Sequence, residues 1–259
     1  MRTGISGLIG ASLIIALPPP AAAYRPFDGT DAAVADVGEV ELELEPGGVL
    51  HTGSQSTMAG PYGIYNYGFA ERWEVVLQAT AQAPPEEIGP TSVPNAALLK
   101  YVVLPGVLQD KPGASVATEF GMLLPEGDAS GVGLSWSGIV SQRWDWGTVH
   151  LNLEANLTPD QHGEILLDAI IEGPRKWAIR PVAEVYFDNV FNQSQTVSAL
   201  IGAIWQARDN VAFDVGVRYA LVNGRPVSEL RAGVTVGFQI IPARPTSAEQ
   251  ANALSLDRR

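Results

Sequence analysis

The sequence predicts an all-β fold: a closed antiparallel up-and-down transmembrane β-barrel of about twelve strands, with both termini on the periplasmic side. Three observations predict it. Polar and apolar residues alternate with a period of two in run after run, many of these runs are near ten residues long, and the links between them are mostly short and long by turns.

The alternation is clearest in "TVHLNLEANL", residues 148–157. His150, Asn152, Glu154 and Asn156 share one parity, and Val149, Leu151, Leu153, Ala155 and Leu157 share the other. Successive strand side chains point to opposite faces, so this strand has one wet face and one oily face. Five further runs repeat the pattern. "VGEVELELEP" opposes Glu39, Glu41, Glu43 and Glu45 to Val40, Leu42 and Leu44. "WEVVLQATAQ", "WAIRPVAEVYFD", "VAFDVGVRYAL" and "ELRAGVTVGFQI" do the same, and weaker strands fit around 60–69, 95–104, 114–124, 131–143, 164–172 and 195–205. A tilted membrane-spanning strand needs roughly 9–11 residues, whereas a globular strand averages about 5–6. Closure removes the two edges that an open sheet of this size would expose, and in a bilayer closure is compulsory.

The links "AER" at 70–72, "DWG" at 145–147, "GPRK" at 173–176 and "ARDN" at 207–210 are tight. Between them fall longer ones at 47–60, 83–94, 158–163 and 189–195. Outer-membrane barrels have short periplasmic turns and longer external loops. Two links depart from the rule: "GVLQDKPG" is long for a turn and "VNGRP" is short for an outer loop. Trp73, Trp144, Trp146, Trp177 and Trp205 all lie beside the short turns, where an aromatic girdle at one membrane interface would place them. The plainer reading is that tryptophans at strand ends pack a soluble core.

The N-terminus reads as an export signal: Arg2, an uncharged run from Gly4 to Leu17, then "PPPAAA", with cleavage expected after Ala23. Residues 24–36 are then a short N-terminal periplasmic segment, 37–241 the barrel and 242–259 a C-terminal periplasmic tail. The net charge of −12 argues against nucleic acid and against attachment to anionic lipid. The chain has no cysteine, which excludes a disulfide framework and any thiolate metal site.

Against that reading of the residues, the chain resembles the meta-pathway phenol-degradation family of Gram-negative outer-membrane barrels, whose members are often called transporters. The resembling blocks are "NYGFAERWEVVLQA", "ALLKYVVLPG", "VATEFGMLLPEG" with "SGVGLSWSGIVSQRWDWGTVHLNLEANL", and "ARDNVAFDVGVRYAL" with "ELRAGVTVGF". "FAER" and "QARDN" stand where that family has a turn such as Leu-Thr-Asp-Arg, and "LLPEG" resembles its Leu-Pro-Thr-Gly. The likeness covers most of residues 37–240 and rests mainly on barrel grammar. It implies a bacterial outer-membrane location and a transport role, with no substrate specified. The chain departs from many such barrels at its end, where Phe238 is followed by "QIIPARPTSAEQANALSLDRR" rather than closing on an aromatic.

Candidate chemistry is sparse. The only histidines are His51, His150 and His162, and no spacing suggests a metal or cofactor. His150 points inward by parity, away from where a lipid-facing hydrolase would need it. His51 and His162 fall in proposed outer loops, the latter near Asp160 and Glu164, and such residues are usually solvated and inert. "PEGDASG" at 125–131 lacks the alternating ligands and closing Glu of a hand-type calcium loop.

The inward parity instead collects Glu39, Glu41, Glu43, Glu119, Glu154, Glu184 and Asp214 with Arg143, His150, Arg180, Arg218 and Arg231 as lumen-lining residues. These charges read either as a hydrated acidic passage that prefers cations or as internal ion pairs that plug a narrow barrel. The leading expectation is an outer-membrane channel for small solutes without chemistry or cofactor. The alternatives are a plugged structural or surface-interaction barrel, and an outer-membrane hydrolase using His51 or His162. The partners expected are outer-membrane lipid, the barrel-assembly machinery during biogenesis and an unnamed small solute.

Overall fold

The computed structural model describes residues 25–53, 55–80, 95–125 and 131–241. The expected export signal at 1–23, the whole of the 83–94 link, the centre of "PEGDASG" and the tail at 242–259 lie outside the described residues.

Fourteen strand segments make one antiparallel sheet that closes on itself. They are β1 (Glu39–Glu45), β2 (Gly48–Thr52), β3 (Gln55–Ala59), β4 (Tyr62–Ala70), β5 (Trp73–Thr80), β6 (Ala96–Leu104) and β7 (Ser115–Leu123). Then follow β8 (Gly133–Trp144), β9 (Gly147–Leu157), β10 (Gly163–Glu172), β11 (Ile179–Val190), β12 (Ser194–Arg208), β13 (Val211–Val222) and β14 (Arg225–Gln239). Each strand from β4 onward pairs with the next, and β1 pairs with both β4 and β14. Because β2 continues β1 along β14, and β3 runs back beside β2 into β4, the wall has twelve staves, as the alternation predicts. The pairing of β1 with β14 closes the sheet, the condition a bilayer imposes on it.

The inner and outer faces differ as parity requires. On β9, His150 and Asn152 are buried inside while Leu151 and Leu153 are exposed outside; on β13, Asp214 and Arg218 face in while Val215, Val217 and Tyr219 face out. Ile201, at the middle of the fifteen-residue β12, is 69% exposed. An apolar band that runs round the whole wall is far larger than the exposed patches of water-soluble monomers.

The turns at 71–72, 145–146 and 209–210 mark one end, here called the lower. The link between β6 and β7 lies at this end too. It carries a short helical turn, Val107–Gln109, that folds inward: Gln109 Nε2 donates to the Ala32 carbonyl (2.9 Å) and Arg143 Nη1 to the Val107 carbonyl (3.2 Å). At the upper end, "VNGRP" is a two-residue hairpin turn. Asn223 and Gly224 both have positive φ, 49° and 76°, the pattern of the primed turn that suits twisted strands.

Two expectations need correction. The stretch 47–60, expected as a loop, holds the β2–β3 hairpin, which prolongs the barrel wall. Its Gly47, Gly48 and Gly53 interrupt the alternation that would have revealed strands. The segment 24–36 was expected to lie outside the barrel. Its described part instead runs from the lower end of β1 up into the lumen, where Arg25, Phe27, Ala32 and Ala35 are buried.

Candidate functional site: the lumen and the strap that crosses it

Residues 25–37 form an extended strap with no strand partner, so its backbone amides must find side chains. They do so on almost every side of the wall. The N–H groups of Asp28 and Gly29 donate to Glu184 Oε1 (2.8 and 3.0 Å), that of Thr30 to Asn152 Oδ1 (3.3 Å) and that of Ala32 to Ser141 Oγ (2.9 Å). The Ala35 N–H donates to Glu74 Oε2 at 2.5 Å. Part of the inner polar face is thus spoken for by the strap rather than by solvent.

Charge fixes the strap more firmly. Asp28 bridges two guanidiniums, with Oδ2 at 2.9 Å from Arg218 Nη1 and Oδ1 at 2.8 Å from Arg231 Nη2. Glu229 completes the square at 2.7 Å from Arg218 and 3.0 Å from Arg231. Arg25 pairs with Glu45, and its Nε lies 3.6 Å from Asp214 Oδ2. Lys100 Nζ donates to Thr30 Oγ1 at 3.1 Å. All the cations of this network are almost fully buried, where losing a partner is costly.

The strap divides the interior into two cavities. The upper one, of about 230 Å3, is floored by strap residues Arg25 to Thr30 and reaches Thr158 and Pro159 at the upper end. The lower one, of about 550 Å3, lies between the strap, the β6–β7 link and the lower rim. Carboxylates outnumber cations in both. The upper cavity is lined by six acidic and three basic side chains, the lower by eight and five.

The residues singled out by parity are placed as follows. Glu39, Glu41, Arg143, His150 and Arg180 line the lower cavity, and Glu43, Glu119, Glu154 and Arg218 the upper. Glu184, Asp214 and Arg231 meet the strap. Parity also puts Glu45, Glu74, Lys100, Asp168, Glu172, Asp188 and Glu229 inside, and the partners of the strap include several of these. The signal for them was in the alternation; the strap itself carries none.

Trp73, Trp144, Trp146, Trp177 and Trp205 all lie at the lower end. Trp144 stacks on Trp146 (5.3 Å between ring centroids), Trp205 on Phe213 (5.6 Å), and Trp73 meets Tyr101 (4.4 Å). The sixth, Trp136, faces outward on β8.

A serine–histidine–carboxylate line does occur in the lower half. Ser141 Oγ is 2.8 Å from His150 Nδ1, and His150 Nε2 is 3.3 Å from Glu172 Oε1. Ser141 is 0% exposed and its oxygen already accepts the Ala32 N–H, so no substrate carbonyl can approach it. The line ties the strap to the wall. On the outer hairpin, His51 Nδ1 lies 2.7 Å from Ser56 Oγ, with no carboxylate orienting the ring among the described residues. His162 and Glu164, adjacent in sequence terms, are not brought together: Glu164 faces the lumen and pairs with Asn156 (2.7 Å).

No protein-family model matches the chain, and no curated protein matches it. Solved structures do. The chain is similar to the COG4313 outer membrane channel from Pseudomonas putida F1, at 10% identity and a TM-score of 0.53, over 82% of this chain and 100% of that one. It is also similar to the CymD monoaromatic hydrocarbon channel (8% identity, 81% and 90% covered, TM-score 0.47) and to the KdgM porin (13%, 77% and 99%, 0.43). At these identities the first likeness shows the fold: a closed twelve-strand antiparallel barrel of the outer-membrane kind.

Proposed function

We propose that this protein is a bacterial outer-membrane channel for small solutes, crossed at rest by its own N-terminal strap, with no chemistry of its own. The observation that carries this reading is the pair of acidic cavities, one above and one below the strap, inside a wall whose outer face is apolar. Lumen linings of one charge sign bias passage toward that of opposite sign, so the channel prefers cations. The lower tryptophans sit at one interface, the short turns face the periplasm, and residues 1–23 direct export. Membership of the phenol-degradation family, suggested by the quoted blocks, belongs to the same reading.

The buried ion pairs of Asp28 favour a second reading, in which the strap never leaves and the barrel is a scaffold. Conductance of the folded protein in a planar bilayer under a salt gradient separates the two. Discrete cation-selective steps support the channel. Silence from protein that is folded and inserted supports the scaffold.

A further inference from the structure

The upper cavity has two unlike walls. On β4 to β7, Ile64, Val76, Leu98 and Leu123 point into the lumen and pack together. They form a continuous patch, because Val76 stands opposite Leu98, and Leu98 and Leu123 are diagonal neighbours across β6 and β7. An aqueous lumen has no need of an apolar patch on its inner face. On β9 to β11 the same cavity is lined by Glu154, Glu164 and Asp188, with Leu166 standing between Glu154 and Asp188 in one row.

These three carboxylates lack a counter-charge. Glu154 Oε1 and Glu164 Oε2 accept from Asn156 Nδ2, both at 2.7 Å, and no Lys or Arg among the described residues pairs with any of the three. Asp188 is 1% exposed; its carboxyl is in hydrogen-bond contact with that of Glu164, and its Oδ1 has no donor. Two acidic groups held together out of water, with one oxygen left without a donor, are costly, and a cation from outside the chain relieves both. The cationic side chains that line the cavity are occupied elsewhere: Arg25 with Glu45, Arg218 with Asp28 and Glu229, and Lys100 with Thr30.

A bare metal ion does not fit, since no three acidic or histidine side chains among the described residues are spaced to hold one. The carboxylates are spread over three strands. Along the sheet Leu98 stands three strands across and two residues up from Glu154, and Leu123 two strands across and four residues up, each roughly 16 Å away. The two walls therefore meet across the curved lumen rather than side by side. We propose that the upper cavity is a binding site for a small organic ammonium with an apolar body, of the arylalkylamine kind. Its ammonium is held by the adjoining Asp188 and Glu164, with the carboxyl of Glu154 beside them, and its body lies against Leu98, Val76 and Leu123. A volume of about 230 Å3 is close to the liquid volume of eight waters, which sets the scale at a single-ring amine. The inference relies on the channel reading only for how the amine arrives and leaves.

The test is calorimetric titration of phenethylamine into the detergent-folded full chain, compared with phenylacetate, ethanolamine and potassium chloride. Phenethylamine should bind at least tenfold more tightly than phenylacetate, which reverses the charge, and than ethanolamine, which lacks the ring. Asp188→Asn with Glu154→Gln should weaken it at least tenfold, and Leu98→Ser several-fold. Both variants are checked for folding by gel mobility before and after boiling. Equal affinity for ethanolamine or potassium, or no binding of phenethylamine, overturns the proposal. Binding without conductance would leave the site standing and remove the channel; conductance without binding would do the reverse.

Discussion

Asp28 and Arg218 stand 190 positions apart in sequence and 2.9 Å apart in the lumen. That contact joins an irregular segment to the inner face of β13, and the same carboxylate reaches Arg231 on β14. The strap is therefore held by charge at two points, Arg25 and Asp28, and by backbone amides along its length.

Replacing Asp28 with Ala takes from two buried guanidiniums the strap carboxylate they share, while Glu229 still bridges them. Breaking a buried pair from one side costs on the order of 3–5 kcal/mol. The wall has its own hydrogen bonds, so this loss falls on the strap. Hydrogen exchange at the amides of Gly29, Thr30 and Ala32 is expected to quicken at least tenfold in Asp28→Ala, while amides of β9 stay unchanged. Equal acceleration in both places would show that strap and wall come apart as one unit.

Gly29 offers a version without a charge change. A Cβ there would collide with the Asp168 carboxyl group and stand 3.0 Å from Asn152 Nδ2. Those two side chains are bound to each other at 3.1 Å and have little room to yield. Gly29→Ala should loosen the strap as Asp28→Ala does, read by the same exchange. Unaltered exchange would mean that the strap backbone does not press on the wall.

The outer face makes a prediction about stability. Ile201 sits at the middle of β12 on the apolar side. Ile201→Arg should cost about 2–4 kcal/mol in urea unfolding from lipid vesicles, the penalty for a cation at the bilayer midplane. In a protein surrounded by water the same change would stay within about 0.5 kcal/mol.

Selectivity should respond to the run of glutamates on β1, where Glu41 lines the lower cavity and Glu43 the upper. Glu41→Gln with Glu43→Gln removes two carboxyl groups from the lining of the passage. The reversal potential in a salt gradient should move toward zero, with the cation-to-anion permeability ratio falling by about half or more. A ratio that stays fixed would place selectivity on other residues.

Most of the wall was legible because membrane strands are long and must alternate. His150 inside and Leu151 outside follow from parity alone, and so does the burial of Arg218 and Asp214. The β2–β3 hairpin was not legible: "GGVLHTGSQSTMA" breaks the period with glycines and a polar run, and its pairing with β14 is a tertiary choice. The strap was hidden for a deeper reason. "RPFDGTDAAVADV" has no regular period, since its amides bond to side chains scattered over β1, β5, β8, β9 and β11 rather than to the backbone of a neighbouring strand. The same holds for the pairing of inner charges. Parity puts Glu229, Arg218 and Arg231 on one face, but nothing in the sequence says that Asp28 arrives between two of them.

The measurement that bears most directly on this account is single-channel conductance of the full chain beside a variant that lacks residues 25–36 and keeps the rest. A lumen crossed by the strap should give small, infrequent steps, and its removal should raise the step size several-fold with cation selectivity retained. The same conductance in both proteins, with folding and insertion shown for each, would contradict the claim that the strap controls the passage.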